Sequence, residues 1–309
     1  MPSGRIIVVC PNPAVEITYF CNRLSLGTQN AGEQRITSGG KGINIARILV
    51  TLGCDALLAT CLGGFSGEYI RQHLTTLGAQ TKFIAHEGNT RFSTVIYDSL
   101  SIDATVIRSE GEGLPLYIET EFIGLIVAEL SRNDLVCVAG SLPKGFSSAF
   151  SELVCKKIAQ LNGRAMMDVS GDSLLSALRA NPFLVKINQQ EALGIMVGAH
   201  SPSVRQLLDL LISKGAENVL ITLGREGWVA YIDGKYLRCN ISANESGFDI
   251  GAGDAMMAGL LHYLHAGFGW SDTLEYATRL AAASTYCRSS GELLSDRVQQ
   301  SPSCSINAL

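Results

Sequence analysis

Gly251-Ala252-Gly253-Asp254, running directly into the small and apolar stretch Ala255–Leu264, reads as a tight turn that opens a helix. Two glycines at a helix mouth leave backbone N–H groups uncovered and converging on one spot, where the helix dipole also favours negative charge. An aspartate set against such an anion cradle would be repelled by a resting phosphate. Its position suits another task, accepting a proton from a hydroxyl that attacks phosphorus. The pairing points to phosphoryl transfer.

Outward from that turn, short apolar runs rich in β-branched residues alternate with helical patterns, the signature of βαβ units and a parallel sheet covered on both faces. Buried strands are predicted at Ile6–Val9, Ala56–Cys61, Leu135–Ala139, Ala165–Val169, Phe183–Ile187 and Val219–Thr222. Helices are predicted at Gly42–Leu52, Glu68–Leu77, Ile118–Leu130, Ser148–Leu161, Val204–Ile212, Gly253–His265 and Thr273–Cys287. The expected fold class is α/β, a doubly wound, mostly parallel sheet. Two segments break the rhythm, 14–37 and 90–108, the second alternating through Phe92, Thr94 and Ile96. Half-exposed strands alternate in this way, so the two pieces are expected to pair as a small antiparallel β lid, leaving 1–13, 38–89 and 109–309 as the core domain. The Ser- and Gln-rich tail after Arg288 reads as a poorly ordered end, apart from a final strand or helical turn.

Bulk properties agree with a globular small-molecule enzyme. Of 309 residues 47% are hydrophobic and 17% charged, so a disordered chain is excluded. The net charge of -4, without a Lys/Arg-rich run, argues against nucleic acid and against a membrane surface. No segment approaches the ~18 uninterrupted apolar residues of a membrane span, and the N-terminal apolar run is too short for a signal peptide, so a cytoplasmic location is expected. Nine cysteines without a C-x-x-C read as reduced, buried thiols. His262 and His265, three apart, lack a third ligand and read as ordinary helix residues, and Trp228 and Trp270 as packing.

A second glycine constellation, Ser38-Gly39-Gly40-Lys41-Gly42-Ile43-Asn44, precedes the helix carrying Ala46, Leu49 and Leu52. Gly follows Lys41 where a Walker A loop needs Ser or Thr, and the first strand runs into Cys10-Pro11-Asn12-Pro13 rather than a dinucleotide fingerprint. A plain helix-start turn is the simplest account. Three glycines around a lysine, with Asn44 just inside the helix, would also let backbone, ammonium and amide converge on a polar ligand. Two glycine loops about two hundred residues apart, one suited to a polyol and one to a phosphate, match what a kinase must bring together.

In these motifs the chain resembles the ribokinase-like (PfkB-type) carbohydrate kinases over nearly its whole length. The resemblance is carried by Gly39–Arg47, Gly63-Gly64-Phe65-Ser66-Gly67-Glu68, Gly140-Ser141-Leu142-Pro143, Val185–Glu191, Thr222-Leu223-Gly224-Arg225-Glu226-Gly227 and Gly251–Asp254, in chain order. Pro11–Val15 and the Gly-Gly-Lys-Gly variant look most like the phosphosugar branch, the 1-phosphofructokinases and tagatose-6-phosphate kinases. The resemblance implies an ATP-dependent kinase of a ketohexose phosphate, with fructose 1-phosphate ranked first and tagatose 6-phosphate or fructose 6-phosphate next. It implies Asp254 as base and Gly251, Ala252 and Gly253 as anion hole. Asn188 and Glu191 would help to hold Mg2+ and the phosphates, in part indirectly, with Lys186, Thr222, Gly224 and Gly227 around ATP. Glu16, Gly39, Gly40, Asn44 and Ser141 would line the sugar site, with Lys41 and Arg91 on the phosphate that the sugar already carries. It also implies a homodimer through the lid.

Three departures stand out. Glu16 replaces the family's usual Asp, and one methylene moves a carboxylate by more than ~1 Å, a shift that can cost ~100-fold in rate. Phe248-Asp249-Ile250 replaces a more polar triplet, and Arg108 lies where Asn is common. The alternatives are a kinase of an unphosphorylated sugar or nucleoside, and a non-catalytic sugar-phosphate or nucleotide sensor.

Overall fold

The computed structural model describes residues 4–196, 202–241, 248–301 and 305–309. Its elements run β1 (Ile6–Cys10), β2 (Ala14–Cys21), β3 (Gly32–Gly39), α1 (Lys41–Thr51), β4 (Ala56–Gly63), α2 (Gly64–Thr76), β5 (Gln80–His86), β6 (Phe92–Asp98), β7 (Asp103–Arg108) and α3 (Leu116–Glu129). They continue with β8 (Leu135–Ala139), α4 (Phe150–Gln160), β9 (Arg164–Asp168), α5 (Gly171–Leu178), β10 (Leu184–Asn188), α6 (Gln189–Leu193), α7 (Val204–Ser213) and β11 (Val219–Thr222). The last are β12 (Trp228–Ile232), β13 (Lys235–Asn240), α8 (Ala252–His265), α9 (Trp270–Ser284), α10 (Ser295–Gln300) and β14 (Ser305–Ala308).

Ten strands form the main sheet in the order β14-β13-β12-β11-β10-β9-β8-β1-β4-β5. From β5 to β11 every pair is parallel, and β12, β13 and β14 close one edge antiparallel. Because strand side chains alternate between faces, β1 divides its residues between two cores. Ile6, Val8 and Cys10 join α1, α2, α8, α9 and α10 on one face. Ile7 and Val9 join α3, α4, α5 and α7 on the other. Within the first layer Gly259 of α8 lies so close to α9 that a Cβ there would meet the Ala277 Cα at 2.7 Å. Small residues let these two helices approach and fix where α8 points.

The lid strands form a separate sheet, β3-β2-β6-β7. Its outer pairs are antiparallel as expected, but the central pair β2–β6 is parallel. The cause is the exit route: β2 follows β1 and β6 follows β5, so both leave the main sheet from the ends of strands that run the same way. Each then returns through its own hairpin.

Sequence patterning overlooks β5, α5, α6 and the β12–β13 hairpin. β5 is an edge strand with an exposed, charged pattern rather than an apolar run. The hairpin has its turn signal in Asp233-Gly234, both at positive φ (48° and 79°), as a two-residue hairpin turn demands. The tail is more ordered than expected, with α10 on the core and β14 paired to β13. Of the eight described cysteines seven are buried and Cys54 is half-buried, and Cys304 lies outside the described residues. His262 and Cys54 are hydrogen-bond partners, and His265 Nε2 bonds the Gly4 carbonyl. Trp228 is buried and donates to Thr278, while Trp270 stacks on Phe183. Among the described residues no helix is long and apolar enough to cross a membrane.

Candidate active site

The carboxyl ends of β1, β8, β9, β10 and β11 open into one cavity of about 480 Å³, roofed by lid residues from β2, β6 and β7. Open α/β sheets bind ligands at this edge, where strand order reverses, here between β1 and β8. Of the residues singled out in the sequence, Glu16, Gly40, Lys41, Asn44, Arg91, Ser141, Lys186, Asn188, Glu191, Thr222, Gly224, Gly227 and Gly251–Asp254 all line it. Gly39 lies just behind, where a Cβ would meet that of Glu16 at 2.8 Å.

Asp254 sits in the first turn of α8, and Gly251 caps that helix in the left-handed region at φ 90°. A Cβ on Gly251 would meet the Ser290 Cβ at 2.8 Å, and one on Gly253 would meet the Lys186 Nζ at the same distance. Glycine is therefore required at Gly251 for its conformation, while Gly253 leaves room for the Lys186 ammonium. Of the amides expected to form the anion hole, that of Ala252 donates to the Asp249 carbonyl at 3.2 Å. No described residue accepts from the amides of Gly253 or Asp254. The Gly251 amide likewise has no acceptor among the described residues, so the open donors span the glycine turn and the first turn of α8.

Asp254 is buried, and its Oδ2 accepts from Asn44 Nδ2 at 2.8 Å. Burial pushes its pKa up to about 6, helped by the charge of Asp168 and opposed by Lys186, Lys41 and the Asn44 hydrogen bond. The Asn44 Oδ1 is buried with no hydrogen-bond partner among the described residues. A buried acceptor left empty beside a carboxylate is suited to a ligand hydroxyl.

Asp168, the last residue of β9, organises the cations. It is wholly buried, accepts from Lys41 Nζ through Oδ1 and from Lys186 Nζ through Oδ2, both at 2.7 Å, and is held below the usual carboxylate range by those two ammoniums against the cost of burial. Sequence reading passed over it. The available signal was an acid closing a buried, apolar parallel strand, next to Ser170-Gly171.

Lys41, expected beside the acceptor's phosphate, instead reaches across to Asp168 and to Glu191 Oε1 at 2.8 Å. It opens α1 and therefore points along the sheet edge toward β9 and β10 rather than up into the lid. Asn188 and Glu191 form a capping box at the start of α6: the Asn188 side chain accepts from the Glu191 amide at 2.8 Å, and Glu191 Oε2 from the Asn188 amide at 3.0 Å. With these oxygens engaged, the pair fits Mg2+ through intervening water better than by direct ligation. Among the described residues no cluster of three His, Cys, Asp or Glu is placed to hold a metal.

At the lid end, Arg91 donates to the Asn12 side chain (2.9 Å) and carbonyl (3.1 Å), and Asn12 donates to the Ser141 hydroxyl at 3.0 Å. Arg108 stands opposite Ser93 on the neighbouring strand and faces the same space. Glu16 is buried and accepts from the Ser290 hydroxyl, and burial raises its pKa despite Arg47, Arg108 and Arg91 nearby. Asn12, inside the Pro11–Val15 motif, and Ser290, in a turn without a local pattern, were not singled out as site residues.

At the far end, Thr222 closes β11 and Gly224 and Gly227 flank a single 3₁₀ turn at φ 62° and 99°. Ala281, Ala282 and Thr285 of α9 and its end form the opposite wall, a flat slot of small side chains. Phe248 is buried in a separate apolar cluster with Phe20 and Val95, its ring centroid 6.1 Å from Phe20 and 5.6 Å from Tyr97. This residue ties the small sheet to the chain that enters α8.

The sequence profile of the pfkB family carbohydrate kinases matches residues 12–297. A 1-phosphofructokinase of Bacillus subtilis is 30% identical over 285 residues, covering 90% of each chain. One from Escherichia coli K12 is 31% identical over 287 residues, covering 91% of this chain and 90% of the relative. The crystal structure of phosphofructokinase-2 from Escherichia coli superposes with a TM-score of 0.87 at 21% identity, over 96% of this chain and 97% of that one.

Proposed function

From a chain that belongs to the pfkB family of carbohydrate kinases, we propose that the cavity transfers the γ-phosphoryl group of ATP to a hydroxyl of a ketohexose phosphate, first of all fructose 1-phosphate. Tagatose 6-phosphate and fructose 6-phosphate rank next. The observation that carries this reading is the placing of Asp254 between two differently furnished ends of one cavity. Glu16, Asn44, Gly40 and Ser141 offer a polar bed for a polyol, while Thr222, Gly224, Gly227 and the slot of small residues suit a nucleotide.

Asp254 takes the proton of the attacking hydroxyl as its oxygen bonds to the γ-phosphorus and the bond to the bridging oxygen of ADP breaks. Asn44 holds the carboxylate in line and offers its empty Oδ1 to a sugar hydroxyl. The amides of Gly253 and Asp254, with the ammoniums of Lys41 and Lys186, offset charge on the transferring group. Lys41 is thus assigned to the travelling phosphoryl group, and Arg91 and Arg108 to the phosphate that the acceptor already carries. Asn188 and Glu191 would help to hold Mg2+, which would supply positive charge to neutralise the phosphates. Closing of the lid keeps water from the γ-phosphate. Exposed Ile36 and Ile107 on the lid suit a homodimer through that sheet, and the expected location is cytoplasmic.

The test is an acceptor panel assayed with ATP for product and ADP. Preference for fructose 1-phosphate by at least about ten-fold in kcat/KM supports the assignment. Preference for fructose or a nucleoside overturns it, and absence of turnover with every acceptor favours the sensor.

A further inference from the structure

A second cavity, of about 440 Å³, lies behind the sugar end, bounded by β3, α1, the end of α2 and residues 286–294. Three guanidiniums line it, those of Arg35, Arg47 and Arg288, together with His73. Arg47 is only 6% exposed; its Nη1 donates to the carbonyls of Ser38 (3.0 Å) and Ser290 (2.9 Å). Its Nη2 makes no hydrogen bond to a described residue and faces the Glu292 carboxylate at 4.0 Å. The other Glu292 oxygen meets Arg35 Nη1 at 3.3 Å, and Arg288 pairs with Glu33 at 2.9 Å. His73 Nδ1 accepts from the Ser38 amide at 3.2 Å, which leaves the imidazole proton on Nε2.

Glu292 therefore holds loosely, with one carboxylate, a set of donors larger than one carboxylate can satisfy. Its side chain is 35% exposed. We propose that this cavity is an effector site for a small phosphomonoester, whose phosphate takes the place of Glu292 between Arg35 and Arg47 within reach of Arg288. A tetrahedral dianion offers three oxygens to guanidiniums arriving from three elements, which a planar carboxylate does not. Val50, Leu77 and Leu293 leave an apolar floor for a compact organic body, and the volume lies within the range of small-molecule sites.

The wall between the two cavities is the turn Ser290-Gly291. Its far side makes the sugar end: the Ser290 hydroxyl donates to Glu16, the Ser290 Cβ abuts Gly251, and Gly291 lies so near Asn44 that a Cβ would meet its Cα at 2.9 Å. Movement of Glu292 is thus one residue from a turn that contacts the polyol carboxylate, the anion hole and the residue orienting the base. Coupling of two ligands needs only a differential effect on such a shared element.

The experiment is equilibrium dialysis of the full chain against radioactive inorganic phosphate, with the active site filled by a saturating non-hydrolysable ATP analogue and fructose 1-phosphate. Wild type is expected to retain one phosphate per chain. The double variant Arg35→Gln, Arg288→Gln and the cavity-filling Thr51→Trp, which keeps every charge, are each expected to bind about ten-fold more weakly or worse. Glu292→Gln, which frees the guanidiniums, is expected to bind more tightly. In steady-state assays phosphate should shift the acceptor KM of wild type by about five-fold beyond simple competition, and leave that of the double variant to competition alone. Equal binding by all variants, or none by wild type, overturns the site; binding without the shift in KM overturns its role as an effector. If the acceptor proves to be another sugar, the same dialysis with the ATP analogue and that sugar tests the site.

Discussion

The amide nitrogen of Asn44 lies 2.8 Å from the carboxylate of Asp254, joining the start of the first main helix to that of the eighth across 210 residues of chain. The donor orients a base whose burial keeps its pKa near 6, so in the free enzyme the carboxylate is half protonated at about that pH. We expect kcat/KM to rise through pH 6 and level off above about 7, checked as a pH profile at low acceptor concentration. A profile flat from pH 5 to 8 would remove the base assignment.

Replacing Asp254 with Asn should cost about 10³-fold or more in kcat while ATP binding, followed by calorimetry, stays intact. It should also stabilise the fold. A carboxyl whose pKa is raised on folding holds its proton more tightly in the native state, so its contribution to stability falls as pH rises from about 4 to 6 and stays unfavourable above. The amide carries no such charge, and at pH 7 a gain on the order of 1–2 kcal/mol is expected in denaturant titrations, vanishing toward pH 4.

Asp168→Asn removes the anion shared by Lys41 and Lys186. Breaking a buried pair in this way should destabilise the protein by about 3 kcal/mol or more. Because the Asp168 charge also raises the pKa of Asp254, the acidic limb of the pH profile should move below 6 in whatever activity remains. A limb that stays in place would mean that the two carboxylates do not interact.

Phe248→Ala should loosen the lid rather than the chemistry. With the clasp to Phe20 and Tyr97 gone, we expect a higher acceptor KM and a larger share of ATP hydrolysed without transfer. A double-mutant cycle with Tyr97→Ala should give a coupling of about 0.5–1.5 kcal/mol in stability. Additive effects would separate the two rings.

Arg108→Ala should raise KM for a phosphorylated acceptor by about ten-fold or more and leave the low activity on its unphosphorylated counterpart unchanged. Equal losses on both would place Arg108 outside the phosphate subsite.

The parallel core was legible because its strands are short β-branched runs buried on both faces, Ile6–Val9 and Leu135–Ala139 being the plainest. β5 was not, since an edge strand needs no apolar run, and neither was the parallel centre of the lid, which follows from where the chain leaves β1 and β5. Within the candidate site, the glycine-marked turn could be read because glycine is demanded locally, by φ at Gly251. Asp168 and Ser290 could not, because their roles rest on tertiary partners, Lys41 at 127 residues and Lys186 at 18 from Asp168, and Glu16 at 274 from Ser290. The direction taken by Lys41 was hidden for the same reason.

The near-contact of Gly259 with Ala277 gives the chemistry a lever on the side away from solvent. Asp254 rides one and a half turns up the same rod, so any bulk wedged between the rods would tilt its tip. A tilt of about 1 Å at the carboxylate is enough to spoil in-line attack. Spacing between two helices, deep in oily surroundings and untouched by either substrate, thereby becomes a setting of reaction rate.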